Sequence, residues 1–155
     1  MLIVENQKKM PLKMMDNGKV LELMCDEDVD VNSFFEGIQE LETIEEEPDM
    51  ACLWTCTMAC KNNYKHSVLC GNPYSYLYCK AKRNESYEAV IVHADRMYCS
   101  QEIWNQIEAL RPTWILMVYK SWKKGELHRK MMRSHGFEVV LQNEDTTRKL
   151  CLGRS

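Results

Sequence analysis

Apolar residues along the chain fall into short continuous runs and a few helical periodicities, with little strict alternation. The run over residues 19–25 (KVLELMC) follows the turn pair Asn17-Gly18 and predicts a strand. Asn32 or Ser33 can cap a helix that carries Phe34, Phe35, Ile38, Leu41 and Ile44 at helical spacing, with Glu36 near its positive end. Pro48 ends that helix, and residues 50–57 (MACLWTCT) form a second apolar run of strand length. Residues 61–75 carry Asn62, Asn63, Gly71, Asn72 and Pro73 and read as irregular, followed by a short strand over 76–80.

The second half is clearer. Residues 87–93 (YEAVIVH) make a β-branched core strand, and Ser100 caps a helix over 101–110 with Ile103, Ile107 and Leu110 on one face. Trp114 to Tyr119 is a continuous apolar strand. A helix over 126–134 then runs to Gly136 as its C-cap, and short strands over 137–141 and 150–152 close the chain. Strands that alternate with helices and are apolar throughout indicate a mostly parallel sheet covered by helices on both faces. The expected fold is therefore Rossmann-like α/β, with an antiparallel edge at the end. Residues 1–18 are expected to be a flexible N-terminus and 19–155 a single domain.

Composition agrees with one soluble globular domain: 155 residues, 45% hydrophobic and 28% charged. No run is long enough to span a bilayer, and Glu5, Lys8 and Lys9 leave no room for a signal-peptide core. The net charge of −3 hides an asymmetry. Residues 22–49 hold twelve acidic side chains and no Lys or Arg, whereas residues 111–155 hold ten basic against four acidic. This pattern fits either an acidic and a basic surface for a protein partner or two segments that screen each other. The basic part lacks interleaved aromatics, which argues against nucleic acid.

Eight cysteines and eleven methionines are the unusual part of the composition. Cys52, Cys56 and Cys60 lie four apart, but Cys70 and Cys79 are too far apart to supply a clean second ligand pair, so no metal site is assigned. On a strand, Cys52 and Cys56 would be buried small hydrophobes. Cys70 and Cys79 flank a Pro-containing turn and are the candidate disulfide, should the domain fold in a secretory lumen. Asn84-Glu85-Ser86 is a glycosylation sequon of a kind that arises by chance.

Open α/β sheets bind ligands beyond the carboxyl ends of their strands. His93, Asp95 and Arg96 end one strand there, and Lys120 and Ser121 end the next, so these five are the candidate substrate-binding residues. A lone histidine at a strand end is more often a structural group than a functional one. No Gly-rich phosphate loop, nucleophile elbow or P-loop is present, and no catalytic residue is assigned.

Across residues 53–121 the order of features resembles the N-terminal domain of the α1,3-fucosyltransferases, Rossmann-like glycosyltransferases that use GDP-fucose. The matching stretches are Leu53-Trp54-Thr55, the Pro-containing segment between Cys70 and Cys79, Arg83-Asn84, Ala89-Val90-Ile91-Val92-His93 with Arg96, and Arg111-Pro112 before Trp114-Ile115. The resemblance implies a glycan acceptor near His93, Asp95 and Arg96. It also implies the Golgi lumen if the chain belongs to a longer anchored protein, and cytoplasm if the chain starts at Met1. The family's catalytic Glu aligns with Lys120, Ser121 and Trp122, and an ammonium group cannot take that proton at an ordinary pKa. The donor-binding half is absent, so the resemblance implies no cofactor in this chain and no activity alone.

The whole chain also resembles the element order of class I S-adenosylmethionine methyltransferases. That alternative accounts for residues 126–155 and implies S-adenosylmethionine as cofactor. It lacks the Gly-rich loop after the first strand, which suits a degenerate domain acting as methyltransferase or as protein-interaction module. Pairing of residues 19–25 beside 87–93 would favour this order. Residues 1–49 lying off the sheet would favour the fucosyltransferase.

Overall fold

A computed structural model describes residues 11–143 and 148–155. Its seven main strands are β1 (Lys19–Leu23), β2 (Glu40–Glu45), β3 (Lys65–Cys70), β4 (Ala89–His93), β5 (Trp114–Tyr119), β6 (Glu138–Asn143) and β7 (Lys149–Arg154). They form one sheet in the order β3-β2-β1-β4-β5-β7-β6. The first five pair in parallel, and β7 inserts antiparallel between β5 and β6. The expected Rossmann-like architecture with an antiparallel edge is what the chain adopts.

Four helices accompany the sheet: α1 (Pro48–Trp54), α2 (Pro73–Lys82), α3 (Gln101–Ala109) and α4 (Trp122–Ser134). One face of the sheet packs Leu77 of α2, Ile103, Trp104 and Ile107 of α3 and Met132 of α4 against Leu21, Val90, Val92, Ile115 and Met117. The opposite face is covered by Met14, Val29, Val31, Phe35 and Ile38, which pack on Val20, Leu41, Ile91 and Leu116. Most of that cover comes from the β1–β2 connection, whose only helical element is the 3-10 turn Val31–Ser33. Residues 11–18, assigned to a flexible N-terminus by sequence, are joined to the domain: the buried Glu88 carboxylate accepts from the amides of Met15, Asp16 and Gly18 at 2.5, 2.9 and 2.9 Å. Residues 1–10 lie outside the described residues.

Four segments differ from the sequence expectation. The helix expected over 33–44 is broken by Gly37, whose φ of +83° lies in the left-handed region, and residues 40–45 are instead strand β2 between β1 and β3. The strand expected over 50–57 is α1 followed by a π-helical turn, Thr55–Ala59. Pro48 opens α1 at a position that needs no N–H, Asp49 suits its positive end, and only Ala51 and Trp54 are buried. The strand expected over 76–80 lies inside α2, where the Asn72 side chain caps the amides of Tyr74 and Ser75 at 2.8 and 3.3 Å. The segment read as irregular holds the edge strand β3, whose side chains are half-buried or exposed and carry no core signal.

Candidate functional site

The carboxyl ends of β1, β2, β4 and β5 converge on one edge of the sheet, at the switch point where β1 lies between β2 and β4. Arg96, three residues past β4, reaches across this edge. Its guanidinium pairs bidentately with the Glu45 carboxylate at the end of β2, with Nη2 at 2.9 Å, and Nη1 also donates to the Cys25 carbonyl past β1 at 2.9 Å. The Glu45 carboxylate is fully buried and takes two more hydrogen bonds, from the Glu47 amide at 2.7 Å and the Cys25 thiol at 3.3 Å. Burial works to raise the Glu45 pKa, but Arg96, the Glu47 amide and Cys25 outweigh it and hold the carboxyl below its ordinary value. Burial and the Glu45 hydrogen bond push the Cys25 thiol far up, so it is no nucleophile.

The loop after β1 lacks glycine. Met24 takes φ +72° there, a conformation a side chain rarely adopts, and Cys25 is buried beside it. Asp26 and Asp28 both pair with Arg148 at the start of β7, Asp28 at 3.3 Å. Burial tends to raise the Asp26 pKa, while the Asp28 amide and Arg148 lower it, and the net direction is down. Here the acidic and basic segments screen each other within one fold. A concavity of about 390 Å³ remains between Asp26, Glu27, Asp28, Met50 and Arg96.

The five sequence candidates occupy different settings. His93 is buried and points into the sheet, with Nε2 2.9 Å from Glu22 of β1. Asp95 accepts from the backbone amides of Lys120 and Ser121 at 2.6 and 2.9 Å, and its carbonyl accepts from Lys124 Nζ at 2.7 Å. This ties the β4 and β5 loops together. Ser121 caps α4 through the Lys124 amide at 3.3 Å, and the Lys120 residue is exposed. Asp95, Lys120 and Ser121 thus meet through backbone, Arg96 clamps the neighbouring cleft, and His93 belongs to a separate buried system.

That system crosses four strands. Thr43 of β2 donates to the other Glu22 oxygen at 2.9 Å and receives His66 Nε2 of β3 at 2.9 Å, while His66 Nδ1 accepts from Asn62 at 3.0 Å. Because the Thr43 proton is committed to Glu22, His66 must donate from Nε2, which fixes its tautomer. Burial holds the His66 pKa below its ordinary value. Glu22, Thr43 and His66 were not singled out from sequence, although a glutamate inside the run VLELMC is a signal of a paired buried charge.

Cys70 ends β3 and Cys79 lies on α2; both are free and exposed in the structure, so the candidate disulfide is not formed. Cys52 and Cys56 are exposed and not buried as expected, because residues 50–57 are helical and those positions point outward; Cys60 is exposed as well. No group of three or more His, Cys, Asp or Glu side chains that could hold a metal ion occurs among the described residues. No helix among them is long and apolar enough to cross a membrane.

No protein-family model matches the sequence, and no curated protein matches it. Solved structures do. Fibrillarin from Aeropyrum pernix, solved with natively bound S-adenosyl-L-methionine, superposes with a TM-score of 0.65 at 13% identity over 93% of this chain and 68% of its own. A Methanococcus jannaschii fibrillarin pre-rRNA processing protein gives 0.61 at 12% identity over 94% and 68%. Phosphoethanolamine N-methyltransferase 1 from Haemonchus contortus, solved with phosphoethanolamine and S-adenosylhomocysteine, gives 0.62 at 8% identity over 90% and 37%. The chain spans 44% of a Streptococcus mutans protein assigned to the S-adenosylmethionine-dependent methyltransferases.

These neighbours overturn the fucosyltransferase resemblance. Its first strand, Leu53-Trp54-Thr55, is helical in α1 and the π turn, and residues 19–23 and 40–45 are central strands of the sheet, with β1 hydrogen-bonded beside β4. The glycan-acceptor and Golgi expectations rested on that resemblance and lose their basis with it. At identities of 8–13% the likeness concerns architecture: the chain has the mixed seven-stranded fold of the class I methyltransferases.

Proposed function

We propose that the chain is a degenerate class I methyltransferase-like domain that acts as a protein-binding module and does not turn over S-adenosylmethionine. The observation that carries this reading is the Arg96–Glu45–Cys25 clamp across the cleft between the ends of β1, β2 and β4. A nucleoside-containing cofactor in such a cleft needs backbone that approaches closely, supplied by glycine, and a free acceptor for its ribose hydroxyls. Met24 and Cys25 stand where glycine would be needed, and both Glu45 oxygens are already engaged. The residues present do not fit the group, and no catalytic step is assigned through it.

A binding role draws support from the surface. Tyr98, Trp122, Leu127 and Tyr78 are 72%, 52%, 53% and 50% exposed, and Tyr98 and Leu127 line a hollow with Asp95 and Lys124 beyond β4 and β5. Isothermal titration with S-adenosylmethionine and S-adenosylhomocysteine tests the reading: no heat at millimolar ligand is expected. A micromolar Kd for either would overturn it and favour the second reading, an active methyltransferase, which the ligands named for the Aeropyrum and Haemonchus structures support.

A further inference from the structure

We propose that the groove between α2 and α3 receives an arginine side chain of a partner protein. The groove has a volume of about 690 Å³ and is walled by Tyr74, Tyr78 and Tyr98, with Ile103, Glu102 and Gln106 on the α3 side. Three features select a guanidinium. Tyrosine faces stack with planar cations, arginine above all. The Oε1 atom of Gln106 is shielded from solvent and accepts no hydrogen bond among the described residues, so it lacks a donor. Glu102 supplies the only formal charge among the lining residues, and no Lys or Arg lines the groove.

Arginine brings five N–H donors and no acceptor, which suits a groove whose one charged lining residue is Glu102 and whose Gln106 carries an amide oxygen short of a donor just behind the wall. The seat lies between Tyr74 and Tyr98, because Lys82 already sits 5.5 Å over the ring of Tyr78. Tyr74 is held in place by the Tyr98 amide, which donates to its hydroxyl at 2.6 Å. The adjoining hollow shares Tyr74 and Tyr98 but sets Arg96 and Lys124 against the one carboxylate of Asp95, so a cation is directed to the α2–α3 side. The inference names a partner chemistry for the binding-module reading, and the two fail separately, since cofactor binding would report at Met24 to Asp28.

The test is a nuclear magnetic resonance titration of the full chain with three capped tripeptides, acetyl-Ala-X-Ala-amide, where X is arginine, lysine or the uncharged isostere citrulline. Saturable shifts at Tyr98 and the Gln106 side-chain amide are expected with arginine, with binding at least about five-fold weaker for lysine and weaker again for citrulline. Tyr98→Ala and Glu102→Gln alter exposed side chains and should each weaken arginine binding about five-fold or more while the melting temperature stays unchanged. Equal response to all three peptides, shifts confined to Asp26–Asp28, or no shift at 10 mM peptide, on the order of ten times a weak single-residue Kd, would overturn the proposal. S-adenosylhomocysteine in a parallel titration reads the cofactor cleft independently.

Discussion

His93 and Glu22 face each other at 2.9 Å in the middle of the sheet, the imidazole 4% and the carboxylate 0% exposed. They sit on adjacent parallel strands, where neither has access to water, and Thr43 satisfies the second carboxylate oxygen. Removing one partner strands the other. His93→Ala should cost about 1–3 kcal/mol, because it leaves one oxygen of the buried Glu22 carboxyl without its hydrogen-bond partner. His93→Ala/Glu22→Leu should be less destabilised than His93→Ala alone, since it removes the unsatisfied polar group. Urea denaturation of the three proteins checks both; equal losses for the single and double variants would exclude the unsatisfied Glu22 oxygen as the origin of the effect.

The clamp gives a second outcome. Arg96→Ala leaves the buried Glu45 without its guanidinium, yet Arg96 is 33% exposed and water can partly replace it. A loss of about 2–3 kcal/mol follows, below the full buried-pair range. Opening the clamp frees Glu45 but leaves Met24 and Cys25 where glycine would be needed, so S-adenosylhomocysteine should bind Arg96→Ala no better than wild type. Thermal unfolding with and without that ligand reads both effects.

Acid should unfold the domain in two stages. Burial lowers the folded-state pKa values of His66 and His128, so the unfolded chain takes up protons first once the pH drops through about 6.5, and stability falls with it. In Asp26, Glu42 and Glu45 burial opposes ionisation, but their partners win and depress the folded pKa. Their contribution is present above about pH 4.3 and is lost as the pH falls through the folded values. His128 accepts from Trp104 Nε1 at 3.2 Å and lies 3.0 Å from the Met97 carbonyl, an arrangement that suits the neutral ring. Stability measured by chemical denaturation from pH 8 to pH 4 should decline from near neutrality; a flat profile down to pH 5 would contradict the buried neutral histidines.

Gly125 supplies a packing test. Ordinarily glycine to alanine inside a helix stabilises by up to about 1 kcal/mol. At Gly125 a Cβ would meet the buried Tyr119 ring at 2.3 Å, and Tyr119 is fully buried with no room to retreat. Gly125→Ala should therefore destabilise by about 1–3 kcal/mol, lowering the melting temperature. A rise in melting temperature would show that the α4–β5 contact yields.

Much of the second half was legible in sequence because its elements carry strong local signals. The run Ala89-Val90-Ile91-Val92-His93 is buried throughout, and Ile103 and Ile107 are buried on α3, as their spacing required. In the first half the signals conflict: residues 40–45 fit a helical period with Phe34 and Ile38, and only the pairing of β2 with both β1 and β3 makes them a strand. The site followed the same division. Asp95, Arg96, Lys120 and Ser121 lie at the predicted sheet edge, whereas Glu45, which closes the cleft with Arg96, is 51 residues away in sequence.

An α/β domain with a parallel core and an antiparallel close follows from the residue pattern, because continuous apolar strands between helices have few other ways to bury both faces. Which polar side chains meet is a long-range matter: Glu22 with His93, Glu45 with Arg96, Asp26 with Arg148. Those pairings depend on strand order, and strand order is fixed by long-range backbone pairing and packing that no local pattern encodes.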